Sequence, residues 1–447
     1  MKRKLTAKET ITITSMLFGM FFGAGNLIFP VYMGQHSGSN VFYASLGFLI
    51  TGVGLPLLGV AALGISHSNG LYELACRVGK RYGIFFTCLL YLTIGPFFAI
   101  PRCATVPFSI GIAPMVENRN LGFFLAGFSL VFFAVVLWFS LRPGNILTWI
   151  GKVLNPIFLM CLAILCVTAL LFPIGKISTA APSEAYASGA FFKGFLEGYH
   201  TMDALAGLAF GIVVVNVIKK LGIEDPKFVA INTVKAGVFS CLMMGIIYLT
   251  ITIIGAQSRG TYPPAENGGE ALRVIANHYF GTMGAVILAI TVTFACLKTA
   301  VGLITSCSEA FVKIFPSGPK YTAWAIIFCI VSFLIANLGL NSIIEFSMPV
   351  LMLLYPLSIT LIILSFCGRF FNNDKTVYIC VTVFTMIAAA IDFMRALPER
   401  IIETAHIEKI INVFDAVMPF ADIGLGWILP AFAGLVIGLA IRYIKKI

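Results

Sequence analysis

The sequence predicts an all-α membrane protein of about 12 transmembrane helices. These form a five-plus-five inverted repeat with broken helices 1 and 6, plus two extra helices at the C-terminus. Three observations predict it. Of the 447 residues, 59% are hydrophobic and only 11% are charged, whereas a soluble domain carries roughly 25% charged residues. Apolar runs of the ~20 residues needed to cross a bilayer recur along the whole chain. Lys and Arg gather between these runs, more densely on alternate sides.

In chain order the runs cover residues 11–34, 41–65, 83–113, 121–141 and 147–172, then 194–218, 229–256, 283–312, 321–338 and 343–366, and finally 377–394 and 423–444. Lys2, Arg3 and Lys4 precede the first. That run is too long for a signal-peptide core and no small-residue cleavage site follows, so it reads as a retained span. With the N-terminus placed in the cytoplasm, 20 of the 30 Lys and Arg residues fall in inside segments and 8 outside, while Arg102 and Lys298 fall within spans. The bias places both termini inside.

A Ser-, Ala- and Pro-containing stretch, 173–192, separates two blocks of five runs. An odd number of spans per block forces the blocks into opposite orientation, an architecture frequent among transporters. The expected units are 1–173, 193–366 and a third, 367–447, that holds the last two spans and an external connector. The connector, 397–422, is mixed polar and apolar and reads as an interfacial segment.

The first span of each block carries the pattern G-x-x-F-G, at Gly19-Met20-Phe21-Phe22-Gly23 and at Gly207-Leu208-Ala209-Phe210-Gly211. Glycine weakens a helix and admits close approach to the backbone. A break at mid-membrane exposes N–H and C=O groups that are tolerated only where they line a cavity or meet a ligand. The competing reading is a small-x-x-x-small packing face. Placement at the start of both blocks favours interrupted helices. Phe97, Phe98 and Phe210 flank the interrupted segments and are candidate pocket walls.

Ionisable residues inside spans are costly, so each marks a candidate site. Arg102 follows two prolines in span three. It is placed to attract a carboxylate, to gate an outer vestibule against Glu345, or to fix helix packing. Asp203, in span six, is placed to hold a cation, bind an amine, pair with Arg102 or cap a helix end. Glu309 and Asp392 lie nearer predicted ends and read as solvated.

Four segments resemble the bacterial branched-chain amino acid:cation symporters. They are Phe22-Gly23-Ala24-Gly25-Asn26-Leu27-Ile28-Phe29-Pro30, Gly95-Pro96-Phe97-Phe98-Ala99-Ile100-Pro101-Arg102, Tyr199-His200-Thr201-Met202-Asp203 with Phe210-Gly211-Ile212-Val213-Val214, and Ala295-Cys296-Leu297-Lys298-Thr299-Ala300-Val301-Gly302-Leu303. The resemblance runs from about Lys8 to the C-terminus. It implies uptake of leucine, isoleucine and valine across a bacterial cytoplasmic membrane, driven by Na+ or H+. It further implies that Gly23, Ala24 and Gly25 offer N–H groups to the substrate carboxylate, with Gly207 to Gly211 opposite. The carbonyls of Gly19 and Phe22, with Ala295 and Thr299, correspond to a sodium site, and Asn26 stands near a second cation position. Lys298 departs from the family pattern, in which threonine or an apolar residue is expected. An inward ammonium there takes the place of a bound sodium ion and points to a proton cycle. A lysine facing elsewhere pairs or snorkels instead.

Other function classes lack their chemistry. The net charge of +11 is spread through loops in short clusters, which argues against nucleic acid as a partner. The 11 cysteines form no C-x-x-C pair and read as small buried hydrophobes. His36, His67, His200, His278 and His406 form no zinc-hydrolase motif, and there is no P-loop. No cofactor is implied, and an enzyme is disfavoured. A repeated pore loop, the mark of many channels, is not visible. A carrier of another small neutral amino acid remains the nearest alternative, and oligomeric state is not legible.

Overall fold

The computed structural model describes residues 5–66, 68, 70–116, 120–142, 155–404 and 407–445. Residues 147–154 of the expected fifth span lie outside the described residues, as do Lys2–Lys4, His67, Arg119, Lys152, His406 and Lys446. Each of the twelve expected spans falls on helix. Among the described residues, seven helical stretches are long and apolar enough to cross a membrane. An eighth crossing is the bent pair Ala190–Thr201 and Asp203–Lys220, and the shorter apolar helices Phe158–Leu171, Tyr321–Ala336 and Ile428–Ile444 coincide with spans five, nine and twelve. No strand occurs among the described residues.

Local chemistry sets the helix starts. The first helix, Ala7–Phe21, opens on a capping box in which Glu9 N–H donates to Thr6 Oγ1 (3.2 Å) and Thr6 N–H donates to Glu9 Oε2 (2.8 Å). Span seven, Pro226–Ser258, places proline in its first turn behind the Asp225 cap, whose carboxylate accepts from Lys227 N–H at 3.0 Å. The long helix Gly268–Ile314 is capped by Asn267 and turns at Gly281, where φ is +61°. Its first arm, 268–280, thus leaves the direction of span eight.

Packing follows an exchange between blocks. Span one packs on span seven, span six on span two, and span three on span eight. First helices pack on the second helix of the other block and third on third, as a two-fold axis in the membrane plane requires. The contacts are close because small residues line them. A Cβ at Gly34 would lie 2.0 Å from Thr252 O, one at Gly47 1.9 Å from Phe191 O, and one at Gly207 2.6 Å from Pro56 O. Spans eleven and twelve pack on each other, with span eleven joined to span ten. Outward faces such as Phe123, Leu130, Val131 and Trp138 on span four are exposed apolar surface suited to acyl chains.

The connector forms two short helices, Glu399–Thr404 and Glu408–Val417. Its position corrects the reading of Asp392 as solvated. The Asp392 side chain is fully buried and lies 2.6 Å from Arg395 Nη1. Arg395 also donates to Asp415 and, at 2.6 Å, to Ala421 O. The connector folds back over the end of span eleven, and this return excludes water from a carboxylate that hydropathy alone places at a span end.

Candidate functional site

Span one breaks where expected. Helix ends at Phe21 and restarts at Gly25, with Phe22 extended at φ −74°, ψ 99°. Asn26 holds the break together. Its Oδ1 accepts from Gly23 N–H at 2.6 Å, and its Nδ2 lies 2.9 and 2.8 Å from the two carboxylate oxygens of Asp203. Tyr248 of span seven completes the group: it accepts from Asn26 Nδ2 and donates to Asp203 Oδ2. Asn26, Asp203 and Tyr248 are all at most 2% exposed. With every neighbour donating to it, the Asp203 carboxylate is held as an acceptor.

The break in span six is displaced from its expected place. Gly207 and Gly211 sit inside the continuous helix Asp203–Lys220 and pack against Pro56, Val60 and Leu63 of span two. They serve the packing role, because the backbone of span two approaches too closely for a side chain. The interruption lies instead at Met202, which adopts the left-handed conformation at φ +61°. The turn Gly198–Thr201 precedes it, and Asp203 opens the second half-helix.

Both breaks face one central cavity of about 40 Å³. Gly23, Ala24, Gly25 and Asn26 line it from span one, and Thr201, Asp203, Ala206 and Phe210 line it from span six. Span three contributes Ile94, Ala99, Arg102 and Cys103, and span eight contributes Thr299 and Leu303. The first N–H groups of each second half-helix have no partner within their own helix and favour a negative group beside them.

Of the other predicted residues, Phe22, Ala295 and Thr299 meet at the edge of this cavity. Thr299 Oγ1 lies 3.3 Å from Phe22 O and 3.2 Å from Ala295 O, so three oxygens converge. Gly19 is buried one turn earlier. Lys298 is buried beside Thr299 in sequence but does not line the cavity. Phe97 and Phe98 also stay out of the lining: Phe97 ends a π-helical turn, Thr93–Phe97, kinked at Gly95, Phe98 follows it, and the two rings meet edge-on. Arg102 pairs with neither Asp203 nor Glu345 among the described residues. Its Nη1 donates to His200 O at 2.8 Å, and its guanidinium lies 5.2 Å above the Phe29 ring.

Sequence reasoning missed Tyr248, Thr201, Met202, Cys103 and Leu303. For Tyr248 a signal existed: a phenol in the middle of an apolar span needs a hydrogen-bond partner.

Paired interrupted helices around a small cavity, apolar but for groups such as Asn26, Arg102, Asp203 and Thr299, define a fold of inverted helix repeats, and solved structures share it. Mhp1, a nucleobase-cation-symport-1 family transporter in a closed conformation with bromovinylhydantoin bound, aligns with a TM-score of 0.62 at 14% identity, covering 98% of this chain and 92% of that one. MhsT in complex with L-phenylalanine aligns with a TM-score of 0.56 at 16% identity, covering 98% of both.

The sequence narrows the class. Residues 6–445 match the family described as branched-chain amino acid transport protein. The branched-chain amino acid permease BrnQ of Lactobacillus delbrueckii subsp. lactis is 52% identical over 433 residues, 96% of each chain. BrnQ of Bacillus subtilis (strain 168) is 42% identical over 438 residues, 98% of each chain. BrnQ of Escherichia coli (strain K12) is 36% identical over 439 residues, 98% of this chain and 97% of that one. The protein belongs to this bacterial family of multi-span membrane permeases and is a transporter, not an enzyme.

Proposed function

We propose that the protein imports leucine, isoleucine and valine across the bacterial cytoplasmic membrane by cation symport, with both termini cytoplasmic. The observation that carries this reading is the single cavity between the two helix breaks, in a chain of this family. The substrate carboxylate sits against the N–H groups of Gly23, Ala24 and Gly25, and its ammonium turns to Asp203. The aliphatic side chain lies among Phe21, Ile94, Phe210 and Leu303. Ligand pockets usually measure about 300–1,000 Å³, so the 40 Å³ cavity belongs to a contracted state that opens by movement of the half-helices.

Rocking of one bundle of helices against the rest then exposes this site alternately to each side, giving alternating access. Na+ is the coupling ion at the convergence of Phe22 O, Ala295 O and Thr299 Oγ1, a hard cation's preference being oxygen ligands. The buried Lys298 beside it supports one second reading, in which a proton is carried instead.

The test is labelled leucine uptake into proteoliposomes under a sodium gradient and, separately, a proton gradient, with unlabelled amino acids as competitors. Uptake driven by sodium and competed by isoleucine and valine is expected. Uptake under the proton gradient alone transfers coupling to Lys298 or Asp203. Strong competition by alanine with none by valine overturns the substrate.

A further inference from the structure

Tyr91 of span three is 6% exposed, and its hydroxyl donates to Ala209 O of span six at 3.2 Å. Arg102, further along span three, donates to His200 O of span six at 2.8 Å. The two bonds bracket the central cavity. Of the residues that line it, Ile94 and Ala99 lie between the two donors, and Thr201, Asp203 and Ala206 lie between the two acceptors. Span three begins at the cytoplasmic side in the expected orientation. Tyr91 therefore stands on the inner side of the cavity and Arg102 on the outer side.

Both bonds cross between two close-packed pairs of spans. Span three is fixed to span eight at this point: Cys307 Sγ donates to Tyr91 O at 3.4 Å, and a Cβ at Gly95 would lie 2.7 Å from Cys307 Sγ. Span six is fixed to span two, where a Cβ at Gly211 would lie 2.8 Å from Leu63. Ala209 sits inside the continuous helix Asp203–Lys220. Its carbonyl has a second lone pair for the phenol, so the helix can release Tyr91 without unwinding. On the outer side the Phe29 ring lies 5.2 Å from the guanidinium and stacks on His200. Arg102 Nε has no hydrogen-bond partner among the described residues. A buried donor stripped of its acceptor is costly unless water replaces it. Each bond therefore breaks only when its own side of the cavity is open to water.

We infer that Tyr91 is a positioning residue that holds the inner half of span six closed, opposed across the cavity by Arg102, and that release to the inside requires the Tyr91–Ala209 bond to break. The inference rests on the alternating-access reading above.

The test uses the full chain with Cys103 as its only cysteine, Cys307 being replaced by serine to keep a donor to Tyr91 O. A membrane-impermeant thiol reagent is applied, without leucine, to right-side-out and to inside-out vesicles. The ratio of the two Cys103 rates reports which side the cavity faces, and the reactivity of the thiol itself cancels. Tyr91→Phe keeps the ring and should raise the inner-to-outer ratio by about two- to tenfold, the worth of one neutral hydrogen bond. Arg102→Met should lower the ratio by about tenfold or more, because its donor is charged. The double variant should return toward the unmodified ratio. Thermal melts verify folding, and a merely loosened fold raises both rates while leaving their ratio alone. An unchanged ratio in folded Tyr91→Phe overturns the inference, as do shifts of the same sign in both single variants. Leucine is then added to the chain that carries neither variant. Failure of leucine to slow the modification from either side overturns the substrate site, whereas the leucine-free ratios still decide the role of Tyr91, so the two failures are distinguishable.

Discussion

Asn26 and Asp203 stand 177 positions apart in the chain, yet the Asn26 amide lies within 2.9 Å of both Asp203 carboxylate oxygens. This contact ties the restart of span one to the restart of span six. Asn26 also holds Gly23 N–H through its other end. One side chain thus sets the distance between the two broken helices and the shape of the cavity between them.

Replacing Asn26 by leucine removes donors from a buried carboxylate and an acceptor from Gly23. Hydrogen bonds to charged groups contribute roughly 1.5–3 kcal/mol, so leucine affinity should fall by about ten- to a hundredfold. Asn26→Asp should be worse still, because it sets a second carboxylate against Asp203. Labelled-leucine binding beside a thermal melt separates lost affinity from lost fold. Near-normal affinity in a folded Asn26→Leu protein would remove this residue from the site.

Thr299 supplies a hydroxyl where Phe22 O and Ala295 O converge. Thr299→Val should raise the sodium concentration for half-maximal uptake by about tenfold, the worth of one such oxygen. Thr299→Ser should leave it nearly unchanged. Lys298→Met is expected to keep sodium stimulation. Loss of all gradient-driven uptake in Lys298→Met, with Thr299→Val normal, would assign coupling to the lysine.

Gly47 and Gly127 make a matched pair for packing. A Cβ at Gly47 collides with Phe191 O at 1.9 Å, whereas one at Gly127 meets nothing within 4 Å. Gly47→Ala should therefore destabilise the protein by about 1–3 kcal/mol through overpacking. Gly127→Ala should be neutral or slightly stabilising, since alanine favours helix. Thermal melts in one detergent decide it. Equal melting temperatures for the two variants would mean that span two and the first half of span six pack more loosely than this.

The buried Asp392 depends on Arg395. Arg395→Met leaves the carboxylate without its cation, a loss of roughly 3–5 kcal/mol for a buried pair. The double variant Asp392→Asn, Arg395→Met should recover most of that stability. If the single and double variants melt alike, the pair contributes little to stability.

The sequence made the spans legible because apolar length is a strong signal in a chain whose environment is lipid. It also located the break in span one, where Gly23 and Gly25 weaken the helix and the Asn26 side chain holds the freed Gly23 N–H. The break in span six was hidden. Met202 has no intrinsic taste for the left-handed conformation, and tertiary contacts impose it, while the glycines that looked like a break are spent on contact with span two. The motif that carried the family resemblance, Tyr199 to Asp203, contains the true interruption. Cys103 was silent because it reaches the cavity only when span three is brought to it by packing between the blocks, and the partners of the Tyr248 phenol, Asn26 and Asp203, are set by the same packing.

Cys103 offers the most direct check on where substrate binds. It lines the central cavity and is 1% exposed. In a chain whose other ten cysteines are replaced and whose leucine uptake persists, the rate of Cys103 modification by a small thiol reagent is measured with and without leucine. Leucine, isoleucine and valine should each slow the modification, and lysine should not. Modification at the same rate in saturating leucine, while transport continues, would contradict a substrate site between the two helix breaks.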